Sequence, residues 1–74
     1  MRGYGAHRVE YDELRETFPG QGFLRRTDVA HYLGLKDRKS VAAFLADVPA
    51  YRLNGKEYSY KLEDVALKIH QSLA

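Results

Sequence analysis

The residues with the most chemistry to offer are cations and polar groups, and they gather in the middle of the chain. Arg25, Arg26 and Thr27 come first. Lys36, Arg38, Lys39 and Ser40 follow, and then Arg52, Asn54, Gly55 and Lys56. Guanidinium and ammonium groups bind phosphate, and the arginine fork also matches the O6 and N7 acceptors of guanine. Residues 21–61 hold eight Lys/Arg against four acids, net +4, whereas residues 1–20 and 62–74 each come to net −1. A solvated surface accounts for any one of these charges. Their clustering is what points to a polyanionic partner.

Other chemistries find little footing. His7, His31 and His70 are widely separated, without the i, i+4 spacing of metal ligands. Ser40, Ser59 and Ser72 lack the context of a nucleophile elbow. Glu10, Asp12, Glu13 and Glu16 crowd one short segment beside an arginine, with no sign of a cleft. Gly20 and Gly22 are not followed by the Lys-Ser/Thr of a phosphate loop. There is no cysteine, hence no disulfide and no thiolate metal site. The expectation is a non-enzymatic protein: no catalytic residue, no metal, no cofactor, no small-molecule substrate. No apolar run approaches the ~20 residues that span a membrane. Met1–Gly5 lead into no apolar segment, so no signal peptide is expected and the cytoplasm is the expected compartment.

The elements that must position the cations can be read from hydrophobic spacing. At 74 residues, 45% hydrophobic and 30% charged, the chain suits one small globular domain. Residues 27–47 read as two helices about a tight turn. Thr27 is the expected N-cap, Val29, Ala30 and Leu33 the first apolar face, and Gly34 the left-handed stop. Val41, Phe44 and Leu45 give the second helix its buried face, leaving Lys36, Arg38, Lys39 and Ser40 outward at its start. Asp37, at that same start, either caps the helix or contacts a base. Ala42 and Ala43 allow close approach, although alanine is also simply a good helix former. Pro49 ends the unit.

The strongest local signal is Tyr51-Arg52-Leu53-Asn54-Gly55-Lys56-Glu57-Tyr58-Ser59-Tyr60. Asn-Gly between alternating residues predicts a two-residue hairpin within 50–60. That register pairs Leu53 with Lys56, Arg52 with Glu57 and Tyr51 with Tyr58. It sets Tyr51, Leu53, Tyr58 and Tyr60 on one core-facing side. Residues 62–73 predict a last helix, with Leu62, Val65, Ala66, Ile69 and Leu73 as its stripe and Leu67 off it. Upstream, residues 1–8 read as frayed. Residues 9–18 read as an accessory helix with Tyr11, Leu14 and Phe18 inward, and Phe23-Leu24 anchor a short extended piece.

This order of elements resembles the winged helix-turn-helix domains of the excisionase and MerR-type superfamily. The resemblance is carried by Thr27-Asp28-Val29-Ala30, Tyr32-Leu33-Gly34-Leu35, Lys39-Ser40-Val41, Phe44-Leu45, Pro49-Ala50-Tyr51, the Asn54-Gly55-Lys56 turn before Tyr58 and Tyr60, and Glu63-Asp64-Val65-Ala66. It covers about residues 23–70. The turn between Leu35 and Val41 is one residue longer than the family pattern, and residues 1–20 have no counterpart.

The resemblance implies a mainly α fold with a β-hairpin wing, to which the spacing over residues 9–18 adds an extra N-terminal helix. It implies sequence-specific binding of double-stranded DNA by a small excisionase-like or regulatory protein of a phage or mobile element. Helix 37–47 would enter the major groove, and the 54–56 wing tip would lie on the backbone or minor groove. Arg38, Lys39 and Ser40 would reach base edges or flanking phosphates, Arg25, Arg26, Thr27, Arg52, Asn54 and Lys56 would contact phosphates, and Lys36, Ala43 and Gly55 would complete the DNA-binding set. Further partners would be a second copy on an adjacent site, or a recombinase or regulatory protein. The rival expectation is a protein-interaction module on the same scaffold, using the acidic helix 10–18 or the C-terminal helix with Leu67.

Overall fold

The computed structural model describes residues 7–53, 55 and 57–73, with Leu73 described in its backbone alone. Over these residues the chain is mainly helical, with four helices and a two-stranded antiparallel sheet. The order is α1 (Arg8–Thr17), β1 (Phe23–Arg25), α2 (Arg26–Leu33), α3 (Arg38–Phe44), β2 (Ser59–Lys61) and α4 (Leu62–Leu73). The core is built from Leu14 of α1, Leu24 of β1, Val29 of α2 and Val41 of α3, closed by Leu45, Val48 and Tyr60, and by Leu62, Val65 and Ala66 of α4.

Helix α1 covers what the spacing assigns it, with Leu14 buried and Tyr11 and Phe18 packed on the core. The frayed start expected over residues 1–8 is corrected at its end. His7 is buried and its carbonyl accepts the N–H of Tyr11 at 3.0 Å, so helical bonding reaches back to it. The acids of α1 are partly spent on its neighbours. Glu10 Oε2 lies 3.4 Å from His70 Nδ1 of α4, and the Tyr32 hydroxyl donates to Glu13 Oε1 at 3.4 Å. Burial first, and then the carboxylates of Glu13 and Glu10, push the Tyr32 phenol above its ordinary range.

Thr27 is not the N-cap. Strand β1 runs directly into α2, so Arg25 is the extended residue before the helix (φ −91°, ψ 168°) and Thr27 sits inside the first turn. Asp28 supplies the reason. Its Oδ2 accepts the backbone N–H of Arg25 at 3.1 Å and lies 3.7 Å from Arg25 Nε. A carboxylate reaching back to the residue three before it satisfies an otherwise orphaned donor, and this moves the cap two residues upstream of Thr27.

The stop of α2 is as read. Gly34 takes φ 74°; its N–H bonds the His31 carbonyl at 3.3 Å, and the Leu35 N–H bonds the Ala30 carbonyl at 2.9 Å. That pair of bonds is a Schellman closure, and it turns Leu35 back onto the core. Asp37 then caps α3. Its side chain accepts the Lys39 N–H at 3.3 Å and the Ser40 hydroxyl at 3.1 Å.

The expected hairpin is the main correction. Strand β2 pairs along its length with β1, not with residues 51–53, in the register Phe23↔Lys61, Leu24↔Tyr60, Arg25↔Ser59. Tyr51 joins its other side as one bridge to Ser59, with backbone bonds of 2.8 and 2.6 Å. Tyr51 therefore faces Ser59 rather than Tyr58, one residue out of the expected register. A one-residue slip inverts side-chain facing. Of the four residues expected to face the core, Tyr60 is buried, while Tyr51 (37% exposed), Tyr58 (43%) and Leu53 (62%) are not. The long-range pairing with β1 sets Leu24 and Tyr60 inward. The connection of residues 52–58 is then odd in length, with Gly55 at φ 80° at its middle.

The last helix matches the expected span, with Leu67 exposed beside the buried stripe. Lys68 ties α4 to the segment after α3, its Nζ donating to Asp47 Oδ2 at 3.1 Å.

Candidate nucleic-acid interface

Arg26 and Thr27 open the first turn of α2, where backbone N–H groups lack intrahelical acceptors and the helix dipole is positive. From that turn two adjoining depressions run outward. One, of about 230 Å³, reaches the start of α3 and is bordered there by Lys36 and Arg38. The other, of about 380 Å³, reaches the connection after Tyr51 and is bordered by Glu57 and Tyr58. Cations far apart in sequence thus meet around one helix start.

The exposed Tyr58 ring joins the far side to it. The Arg26 guanidinium carbon lies 5.9 Å from the ring centroid and that of Arg52 lies 5.5 Å from it. A ring face attracts a cation, so Tyr58 holds two guanidinium groups together that would otherwise repel. Arg52 is held further by donating to the Gly55 carbonyl at 3.0 Å.

Val41 of α3 and Leu45 just after it are buried, which turns Lys39 and Ala43, one helical turn apart, toward solvent. Arg38 lies to the side that borders Arg26 and Thr27. The Ser40 hydroxyl is committed to Asp37, and the exposed Arg25 is paired with Asp28. Among the described residues, Arg26 makes no ion pair.

The structure therefore brings together Arg26, Thr27, Lys36 and Arg38 around one depression, and joins Arg52 and Gly55 to Arg26 through Tyr58. Lys39 and Ala43 flank it on the open face of α3. Arg25 and Ser40 stand apart, each with an internal partner. Asn54 and Lys56 lie outside the described residues. The residue that sequence reasoning missed is Tyr58. Its parity with Tyr60 reads as core-facing, and it does lie on the helix side, but beyond the end of the strand, over Arg26.

Among the described residues no three of His, Asp and Glu gather as a metal-ligand set, and no helix is long and apolar enough to cross a membrane. No protein family, curated protein or solved structure matches this chain.

Proposed function

We propose that this chain is a small winged helix-turn-helix protein that binds double-stranded DNA in a sequence-specific way, without catalytic activity. The observation that carries the reading is the position of Arg26. It lies on both depressions, so the start of α3 and the 52–58 connection form one basic path instead of two isolated patches. In this reading α3 lies in the major groove. Lys39 and Ala43 face base edges, with Arg38 at the groove's rim. Arg26, Thr27, Lys36 and Arg52 hold the flanking phosphates. The connection is the wing, and the bridge of Tyr51 to β2 supports it, because it closes the loop over residues 52–58 beside that path.

In this reading the chain is an excisionase-like or regulatory protein, with a second copy on an adjacent site, a recombinase or a regulatory protein as its further partner. The interaction-module alternative gains less support. Glu10 and Glu13 of its acidic helix are turned toward His70 and Tyr32 within the domain.

Anisotropy titration of duplex DNA over a range of salt tests the proposal. With ~5–7 phosphate contacts the slope of log K against log[salt] is about −4 to −6. Amide shifts should cluster at residues 36–43 and 52–58. No change at micromolar protein, or an affinity indifferent to salt, contradicts it, and shifts confined to 10–18 or 67–73 on adding a protein partner support the alternative.

A further inference from the structure

We propose that the outer face of the sheet is a second nucleic-acid surface, built for single-stranded DNA and separate from the path around Arg26. Side chains alternate along a strand, and Leu24 and Tyr60 are the buried pair. Phe23, Arg25, Ser59 and Lys61 therefore share the opposite face, and Tyr51 joins it through its bridge to Ser59. On that face the Phe23 and Tyr51 rings meet edge to face, with centroids 5.6 Å apart and planes at 75°. Lys61 Nζ sits 5.9 Å from the Tyr51 centroid. Past Phe23 and Lys61 the face opens into a cleft of about 550 Å³ whose far wall carries Phe18 and Arg15.

The chemistry of this face differs from that around Arg26. Aromatic rings interleaved with Arg15 and Lys61 match a polyanion whose bases are unpaired, because a ring can stack only on a base whose face is open. A duplex hides those faces. The two acids nearby are accounted for in different ways: Asp28 is held by Arg25, and Glu63 borders the cleft at the start of α4. The cations outnumber them. The cleft has the size of a small-molecule pocket, large enough for a single nucleotide beside Phe23 and Lys61. The inference does not depend on duplex binding, since the side chains named for this face are not among those named for the path around Arg26.

The test is titration of the whole chain with a fluorescent oligothymidylate of twelve nucleotides, with Tyr51→Ala and Lys61→Gln as variants and thermal melts as the folding control. Wild type binds. Tyr51→Ala weakens binding by about 5- to 150-fold, the range for removing one base–aromatic stack. Lys61→Gln weakens it and lowers its salt dependence. In the wild-type protein, oligothymidylate shifts the amides of Phe23, Tyr51 and Lys61, a readout that needs no variant to fold. Duplex affinity is unchanged in Lys61→Gln. Failure of wild type to bind the oligonucleotide overturns the inference, whatever the duplex result. So does binding lost in Arg26→Ala but kept in Tyr51→Ala, or equal affinity for a polyglutamate peptide of the same charge.

Discussion

Arg25 and Arg26 are adjacent in sequence and identical in type, yet the structure gives them opposite expectations when each is replaced by alanine. Arg25 has its charge balanced by Asp28 at 3.7 Å, whereas Arg26 makes no ion pair among the described residues and lies on both depressions. If Arg26 neutralises one phosphate, its loss removes about 0.9 from the salt slope. Counterion release vanishes near 1 M salt, so the same contact is worth about 10^0.9, or roughly eightfold in affinity, at 0.1 M. Arg26→Ala should therefore weaken duplex binding about eightfold at 0.1 M and flatten the slope by about one. Arg25→Ala should change both by much less, because its cation is already compensated and removing it leaves Asp28 free. The exposed contact of Arg26 with Tyr58 is worth about 0.5–1 kcal/mol, so the melting temperature falls by only about 2–8 °C and the protein stays folded. The assay is anisotropy of a labelled duplex at four or more salt concentrations, with a thermal melt of each variant. Equal losses from the two arginines, or a larger loss from Arg25, would refute the reasoning.

Leu24 is fully buried between the sheet and the helices, and truncating it to alanine should cost about 2–5 kcal/mol and lower the melting temperature by at least about 8 °C; a fall below about 4 °C contradicts its place in the core. Gly34→Ala should cost about 1–2 kcal/mol by denaturant unfolding, since φ is 74° and no atom lies within 4 Å of the added Cβ, so backbone strain is the whole effect. The hydrogen bond from Lys68 holds the Asp47 carboxyl below its usual range, against a smaller opposing effect of desolvation, with the Lys68 charge adding less again. A depressed carboxyl contributes stability that is present above its unfolded value and lost as pH falls through the folded one. Carbon-detected titration of Asp47 should show a low midpoint that returns to the ordinary range in Lys68→Met, and an unchanged midpoint would rule out that origin.

Several features follow from the chain alone, because they depend on neighbours within a turn or two. The stop at Gly34 needs only a residue that tolerates positive φ after an apolar face, and the structure has it there. The acids at the start of α4 and its stripe of Leu62, Val65 and Ala66 were legible for the same reason. The clustering of cations over residues 21–61 was equally plain, since it is a property of composition. The N-cap of α2 was misread at the same short range. Thr27 and Asp28 offer competing caps, and the carboxylate prevails by reaching the Arg25 N–H.

Pairing in space was decided only by the tertiary structure. The Asn54-Gly55 signal names a place where the chain can reverse, but not which strand β2 takes as its partner. That choice belongs to Phe23–Arg25, more than thirty residues earlier. Burying Leu24 opposite Tyr60 sets the register of β2 against β1, and Tyr51 bridges Ser59 on its other edge. Two consequences for the site were invisible in sequence: Tyr58 came to lie over Arg26, and Tyr51 turned outward to Phe23 and Lys61. Side-chain types and local spacing set which chemistry the chain carries. The packing of one strand against a distant one sets which of those groups meet, because each one-residue change of register exchanges the two faces of the sheet.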